Sequence, residues 1–260
     1  MNIIVAMRQL ADLVEELEVD SSGTDIDREF VKFVSNEWDE AALEEALCLK
    51  EAYGGTVTVV GIEEVDFHQT LHAALAKGAD RAVELTGDFE GWIPTRQRAA
   101  ALAWFIRECD FDLVLTGVQA ADDLNGQLAG AIGAMLGVAH ASVVTNISVE
   151  GSEAHITQEL GGGVTSVSRA RLPLVLGVQS ARQAPRYVPI SRIRQVMAEA
   201  TIEKVPVTGE SFGNTPQVLR LYAPEASGTA TMLEGKPKEV ASAIYDVLVA
   251  KGVAGSRKGN

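Results

Sequence analysis

What this chain lacks narrows it before any motif is considered. No apolar run approaches the roughly 20 residues needed for a membrane-spanning helix. The opening Asn2-Ile3-Ile4-Val5-Ala6-Met7 is too short for a signal peptide and is followed, rather than preceded, by a basic residue, Arg8. A cytoplasmic protein is therefore expected. Cysteine is nearly absent. Cys48 and Cys109 fall in separate helical patterns without metal-ligand spacing, so they read as small buried hydrophobes in a reducing compartment, with a bridge between them left open. Only 22 Lys and Arg stand against 36 Asp and Glu, a net charge of -14, and there is no basic stripe of the kind that nucleic acid demands. That acidic surplus suits solubility or a protein partner.

Catalytic signatures are missing too. The chain has no Walker A lysine loop, no Gly-x-Gly-x-x-Gly and no nucleophile elbow, so hydrolysis, phosphoryl transfer and ordinary dinucleotide-dependent hydride transfer lack their machinery. Binding and carrying are expected rather than enzyme catalysis. His68 and His72, four apart, share a helix face as a metal pair would. The gap lacks the Glu of a metalloprotease helix and no third ligand is evident; such pairs are usually surface or partly packed residues, and no metal is expected. His140 and His155 have no recognisable Ser or Cys partner.

With 260 residues and 47% hydrophobic side chains the chain can bury a full core, in one domain with an appendage. Strand and helix patterns alternate through its first two thirds. Strands are expected at Ile3 to Met7, Thr56 to Gly61, Ala82 to Leu85 and Asp112 to Thr116. Helices are expected at Asp39 to Tyr53, Asp66 to Lys77, Pro94 to Glu108 and Leu124 to Leu136. Asp39 is the expected N-cap of the first helix, and Gly54 and Gly78 are the expected stops of the first two. This rhythm predicts an α/β fold with a doubly wound, mostly parallel sheet. Between Leu10 and Phe33 the rhythm breaks around Asp20-Ser21-Ser22-Gly23, which predicts a β-hairpin excursion serving an interface. Short strands at Ser142 to Ile147, His155 to Gln158, Val164 to Ser168 and Leu174 to Val178 are expected to complete the sheet as antiparallel edges. Glycines 126, 130, 133 and 137 run down one side of the fourth helix and predict close backbone packing. Residues 1–200 thus form the main domain and 201–260 a C-terminal arm, whose helix over Lys238 to Lys251 places Val240, Ile244, Val247 and Leu248 on one face. An arm so rich in Val, Leu and Met is expected to dock on a partner.

The most informative stretch is Gly117-Val118-Gln119-Ala120-Ala121-Asp122-Asp123-Leu124-Asn125-Gly126-Gln127, which joins a strand to a helix. The free N–H groups and positive dipole end of a helix start attract an anion, and Gly117 and Gly126 let the backbone approach it. Such a turn also occurs merely to reverse the chain. Asp122 and Asp123 sit awkwardly beside a phosphate and are expected to bond backbone or face solvent.

Read together with Ser35-Asn36-Glu37-Trp38-Asp39-Glu40 and Pro185-Arg186-Tyr187, this loop resembles the β subunit of electron transfer flavoprotein. Its Gly-x-Gln-x-x-Asp and Asn-x-aromatic-acidic loops clasp an AMP. The resemblance covers nearly the whole chain. It includes the opening strand, the Leu75-Ala76-Lys77-Gly78-Ala79-Asp80-Arg81-Ala82 run, Glu159-x-Gly161-Gly162-Gly163, and the tail Thr229-Ala230-Thr231-Met232-Leu233-Glu234-Gly235. Asn-Glu-Trp-Asp and that tail look most like the branch serving trimethylamine dehydrogenase. The resemblance implies a Rossmann-like adenine-nucleotide-binding fold and an electron carrier of the cytoplasm. It also implies an α subunit that holds most of a shared FAD, a flavin-containing dehydrogenase as donor and a downstream acceptor.

Residue by residue, it implies that Ala6, Asn36, Glu37, Trp38, Asp39, Val60, Gly117, Gln119, Ala120, Asp122, Asp123, Asn125, Gly126 and Gln127 form the AMP pocket. Asn36 and Gln119 would read base or ribose, and backbone N–H groups near Asn125 and Gln127 would take the phosphate. For Asn36 a helix cap is an equally physical role. Glu159 is matched as a residue near the flavin, while Gln158 stands where many relatives have Arg. Pro185, Arg186, Tyr187 and Ile190 match a loop that docks on the dehydrogenase, Ile190 standing where relatives have a plugging Leu. It either anchors there or packs inward at the start of its helix. Two other readings remain. A bifurcating β subunit with a second FAD would carry Asp-Gly-Asp-Thr where this chain has Asp122-Asp123-Leu124-Asn125. A stand-alone nucleotide-sensing domain of the stress-protein type would not need the arm.

Overall fold

A computed structural model describes residues 1–14, 16–29, 31–89, 91–208, 216–223 and 230–255. Thr229, the first residue of the family-like tail, lies outside the described residues. The chain divides into two compact units, Met1–Leu221 and Tyr222–Asn260.

Strands in the first unit are β1 (Asn2–Ala6), β2 (Gln9–Ala11), β3 (Phe33–Ser35), β4 (Thr56–Ile62), β5 (Arg81–Thr86), β6 (Leu113–Gly117), β7 (Ala139–Glu150), β8 (Glu153–Glu159), β9 (Thr165–Arg171), β10 (Leu174–Val178) and β11 (Glu203–Pro206). Its helices are α1 (Glu37–Tyr53), α2 (Phe67–Lys77), α3 (Thr95–Arg107), α4 (Leu128–Leu136) and α5 (Ile190–Glu199). Nine strands make one sheet in the order β11-β5-β4-β1-β6-β10-β7-β8-β9. From β11 to β7 neighbouring strands are parallel, and β8 and β9 close the far end as antiparallel strands.

The strand period of two divides the core cleanly. Ile3, Val5, Val57, Val59, Leu113, Leu115, Leu174 and Leu176 face α1 and α2, whereas Ile4, Ala6, Val60, Ile62, Val114 and Val175 face α3 and α4. Helices on both faces of a largely parallel sheet make this a Rossmann-like, doubly wound fold.

Five expectations are corrected. Leu174–Val178 is no antiparallel edge: it lies between β6 and β7, parallel to both, with every residue buried. Its apolar run without alternation is what a strand covered on both faces requires. Ser142 to Ile147 is likewise no edge: it lies in β7, antiparallel to β8 but parallel to β10. Helix α4 opens at Leu128 rather than near Leu124, because Ala120 and Asp123 exchange backbone hydrogen bonds of 3.3 and 3.0 Å and Gly126 takes a left-handed φ of 61°. Helix α1 begins two residues earlier than expected, so Asn36 occupies the N-cap position and Asp39 lies inside the first turn. The start of the expected arm, Glu203–Pro206, is a strand of the main sheet, paired with β5.

Several other expectations hold. Gly54 and Gly78 close α1 and α2. The excursion is a hairpin, with β2 and β3 paired antiparallel and Asp20 accepting hydrogen bonds from the N–H groups of Ser22 and Gly23 in its turn. Both cysteines are free thiols. His72 is buried, its Nδ1 lying 2.7 Å from the carbonyl of His68.

In the second unit, α6 (Pro237–Ala250) starts with Glu239 accepting a hydrogen bond from the Lys236 N–H at 2.9 Å. Its apolar face is open, Ile244, Val247 and Leu248 being 46%, 51% and 39% exposed.

Of the expected glycine stripe only Gly130 and Gly133 lie within α4, Gly126 preceding it and Gly137 closing it, and the two are not equivalent. A Cβ at Gly133 would stand 2.7 Å from the Cβ of His140 on β7, whereas one at Gly130 would meet the same ring at an ordinary 3.6 Å. Gly133→Ala is therefore expected to lower unfolding free energy by about 1 to 3 kcal/mol through overpacking, and Gly130→Ala to raise it by up to about 1 kcal/mol through helix propensity. Denaturant melts of the two variants check this, and equal effects of one sign would contradict it.

Candidate functional site: the carboxyl edge of the sheet

In open α/β sheets ligands bind beyond the carboxyl ends of the strands. Here that edge gathers the ends of β1, β4 and β6. Ala6 and Val60 are direct neighbours across β1 and β4, and the Met7 N–H donates to the Val60 carbonyl at 2.9 Å. Their side chains are 2% and 0% exposed, so both belong to the core beneath the edge.

One buried carboxylate organises what lies above them. Asp39, 1% exposed, accepts a hydrogen bond from the Gly117 N–H at 2.9 Å on Oδ1 and another from the Arg8 N–H at 3.0 Å on Oδ2. The start of α1 is thereby tied to the ends of β6 and β1. Gly117 is required there: a Cβ would lie 2.5 Å from Asp39 Oδ1 and 2.7 Å from the Cβ of Trp38. Burial pushes the Asp39 pKa up to about 6, against the lowering by the Arg8 charge and the hydrogen bonds it accepts.

Arg8, not singled out in the sequence, proves central. Its side chain is 3% exposed, with Nη1 3.1 Å from Asp122 Oδ1 and Nη2 3.6 Å from Asp123 Oδ2. The two acids that seemed awkward beside an anion are therefore paired to a cation on the β1 side of the loop. A basic residue directly after the first strand, with two acids in a loop of the same edge, is the signal that would have found it.

Asn36 donates through Nδ2 to the Gln119 carbonyl at 2.9 Å, joining the two loops, and makes no side-chain cap to α1. Its Oδ1 is buried without a hydrogen-bond partner among the described residues, an acceptor facing unmet demand. Glu37, Asn125 and Gln127 are exposed, Trp38 and Gly126 half-buried, and Ala120 fully buried. Helix α4 has Gln127 at its N-cap with no side-chain cap hydrogen bond, and among the described residues no side chain is bonded to its first N–H groups. A cavity of about 440 Å³ opens beside this edge, lined by Gln9, Phe33, Glu64, Trp92 and Arg98 among others; of the expected pocket residues only Asp122 reaches it.

The other expected residues lie apart. Glu159 ends β8, exposed, three strands across from β6, roughly 14 Å at ordinary strand spacing. Gln158 donates to the Ser142 carbonyl on β7 at 2.8 Å. In the segment expected to dock, Tyr187 is 85% and Ile190 65% exposed, so the inward-packing alternative for Ile190 falls. Arg186 points the other way, its guanidinium bound to Glu44 and Glu51 of α1.

Fold and edge together define the class: a doubly wound α/β domain whose polar loops crowd the carboxyl edge of a parallel sheet. Residues 25–209 match the electron transfer flavoprotein domain. The chain is 32% identical to the electron transfer flavoprotein subunit beta of Methylophilus methylotrophus, over 95% of this chain and 98% of that one. It is 25% identical to the subunit of the same name from Bacillus subtilis, over 95% and 97%. Identity to the caffeyl-CoA reductase-Etf complex subunit CarD of Acetobacterium woodii is 30%, over 96% and 99%. This chain belongs to the electron transfer flavoprotein β-subunit family, a family of flavin-associated electron carriers.

The raised pKa of Asp39 gives a signed expectation. A carboxyl that titrates near 6 when folded and near 3.8 when unfolded favours the folded state most below pH 3.8, and that advantage is lost as pH rises through about 6. The stability of wild type minus that of Asp39→Asn should therefore shrink between pH 4 and pH 7, by on the order of 2 to 3 kcal/mol. Paired urea titrations across that range measure it, and a pH-independent difference would refute it.

Proposed function

We propose that this chain is the β subunit of a heterodimeric electron carrier in the cytoplasm, with AMP held at its carboxyl edge and a FAD held mainly by an α subunit. One observation carries the AMP reading: the unpaired buried Oδ1 of Asn36, the Asn36–Gln119 bridge and the uncapped start of α4 lie on loops of one edge. Asn36 and Gln119 hold the base and ribose end, and the first N–H groups of α4 hold the phosphate. Asp39 and Gly117 set the wall between them. Arg8 keeps Asp122 and Asp123 from opposing the anion. AMP in this role performs no chemistry and serves as structure.

Bound FAD supplies the one-electron redox steps, and this chain positions it. The β8–β9 tip, where Glu159 and the exposed Leu160 and Val164 surround three consecutive glycines, faces the flavin in this reading. The open face of α6 and the rest of the tail dock on α. Tyr187 and Ile190 meet a flavin-containing dehydrogenase, which passes electrons on to a later acceptor through the same flavin.

Extraction of the purified heterodimer is expected to release one AMP and one FAD, because the loop reads Asp122-Asp123-Leu124-Asn125 with both acids held on Arg8. Two FAD per heterodimer, counted by absorbance after denaturation, would overturn the assignment in favour of a bifurcating subunit. Ile190→Ala should slow electron transfer from the dehydrogenase about tenfold, the loss of about 1.4 kcal/mol of anchoring. Its melting temperature should barely move, since Ile190 is 65% exposed. An unchanged rate would remove the docking role.

A further inference from the structure

Helix α1 is apolar where it faces the sheet, through Ala42, Leu43, Ala46, Leu47 and Leu49, yet two carboxylates in that stretch, Glu44 and Glu45, are each only 1% exposed. Acids so deep in a fold are tolerated only when fully paired. All the cationic partners that bury them come from one short segment, residues 182–186, which leaves β10 and leads to the docking residues. That segment has no helix or strand of its own.

The pairing is complete at both ends. Glu44 accepts from the Arg186 N–H at 2.9 Å, from Arg186 Nη2 at 2.8 Å and from Gln183 Nε2 at 2.6 Å. Glu45 accepts from the Arg182 N–H at 3.1 Å and from Arg182 Nη2 at 2.6 Å, and that same nitrogen reaches the Ile147 carbonyl at 2.7 Å. Arg186 Nη1 also pairs with Glu51 at 2.7 Å. Burial pushes the Glu44 carboxyl up, but the hydrogen bonds from Arg186 and Gln183 outweigh it and hold its pKa at about 2, so it stays charged. Gln183, Ala184, Pro185 and Tyr187 are exposed. The charged pairs therefore hold in place a stretch that contributes little to the core.

We infer that Glu44 is a positioning residue for docking: from inside α1 it fixes Arg186, and through it the presentation of Tyr187 and Ile190 to the dehydrogenase. The inference rests on the docking role proposed above. A loop fixed beforehand has less freedom to lose when it binds, so its anchor works at full strength.

Four complete heterodimers test it: wild type, Glu44→Gln, Ile190→Ala and the double variant. They are assayed with the flavin-containing dehydrogenase that reduces the wild type. Glu44→Gln is expected to raise the KM for the heterodimer about fivefold or more by releasing the loop. Its kcat, its reduction by dithionite and its flavin spectrum should stay unchanged. Trypsin should cut the Arg186–Tyr187 bond faster in this variant. Because Glu44 acts through the anchor, the double variant should be no more than about twofold worse than Ile190→Ala alone. Arg186→Gln should reproduce the KM effect and stands in if Glu44→Gln does not fold. The inference is overturned if Ile190→Ala raises KM while Glu44→Gln and Arg186→Gln do not, or if the two effects multiply in the double variant. If Ile190→Ala leaves KM unchanged, the docking reading itself fails, and the inference with it.

Discussion

The carboxylate of Asp39 is the contact on which the carboxyl edge depends. It accepts from the backbone of Gly117 at the end of β6 and of Arg8 just after β1, the two strands being neighbours in the sheet. Strand ends leave N–H groups without a ladder partner, and water cannot reach these. A buried carboxylate supplies both acceptors at once. Its cost is desolvation, visible in a pKa pushed to about 6, and Arg8 offsets part of it. Arg8 then reaches on to Asp122 and Asp123, so the long loop is set by the same knot.

Helix α1 carries that order across the molecule. Its first turn holds the loops where a nucleotide is proposed, and its second and third turns hold the segment that leads to Tyr187 and Ile190. A buried acid costs far more to desolvate than a buried leucine. The acids specify where an otherwise irregular segment must lie, which apolar contacts, being non-directional, do less well. The edge proposed for a nucleotide and the segment proposed for docking are thus both held by this one helix.

Most of the fold was legible because burial on both faces leaves a plain mark. Val57-Thr58-Val59-Val60 and Leu113-Val114-Leu115 could only be inner strands, and the alternation with helices fixed a parallel arrangement. The same rule, applied to Leu174-Val175-Leu176-Gly177-Val178, would have placed β10 at the centre rather than at an edge. Proximity in sequence to the β8 and β9 hairpin concealed it. At the site, the loops around Asn36 and Gln119 were readable as neighbours through family resemblance. The partner of Asp39 was not, because backbone N–H groups carry no residue identity. The ion pairs of Arg8, Glu44 and Glu45 span up to 142 residues of chain and leave no periodic trace.

The sequence by itself determined the class, the order of the strands along the chain and the loops that face one edge, since these follow from short-range hydrophobic period and turn chemistry. Only the tertiary structure decided which polar groups meet. It turned Arg186 inward and Ile190 outward, though they sit four residues apart on one segment. It assigned Asp39 to the backbone of two strands and Asp122 to Arg8. The physical reason is that pairing in a low-dielectric interior is governed by distance in space and by which groups are left without water, and neither can be counted along a chain.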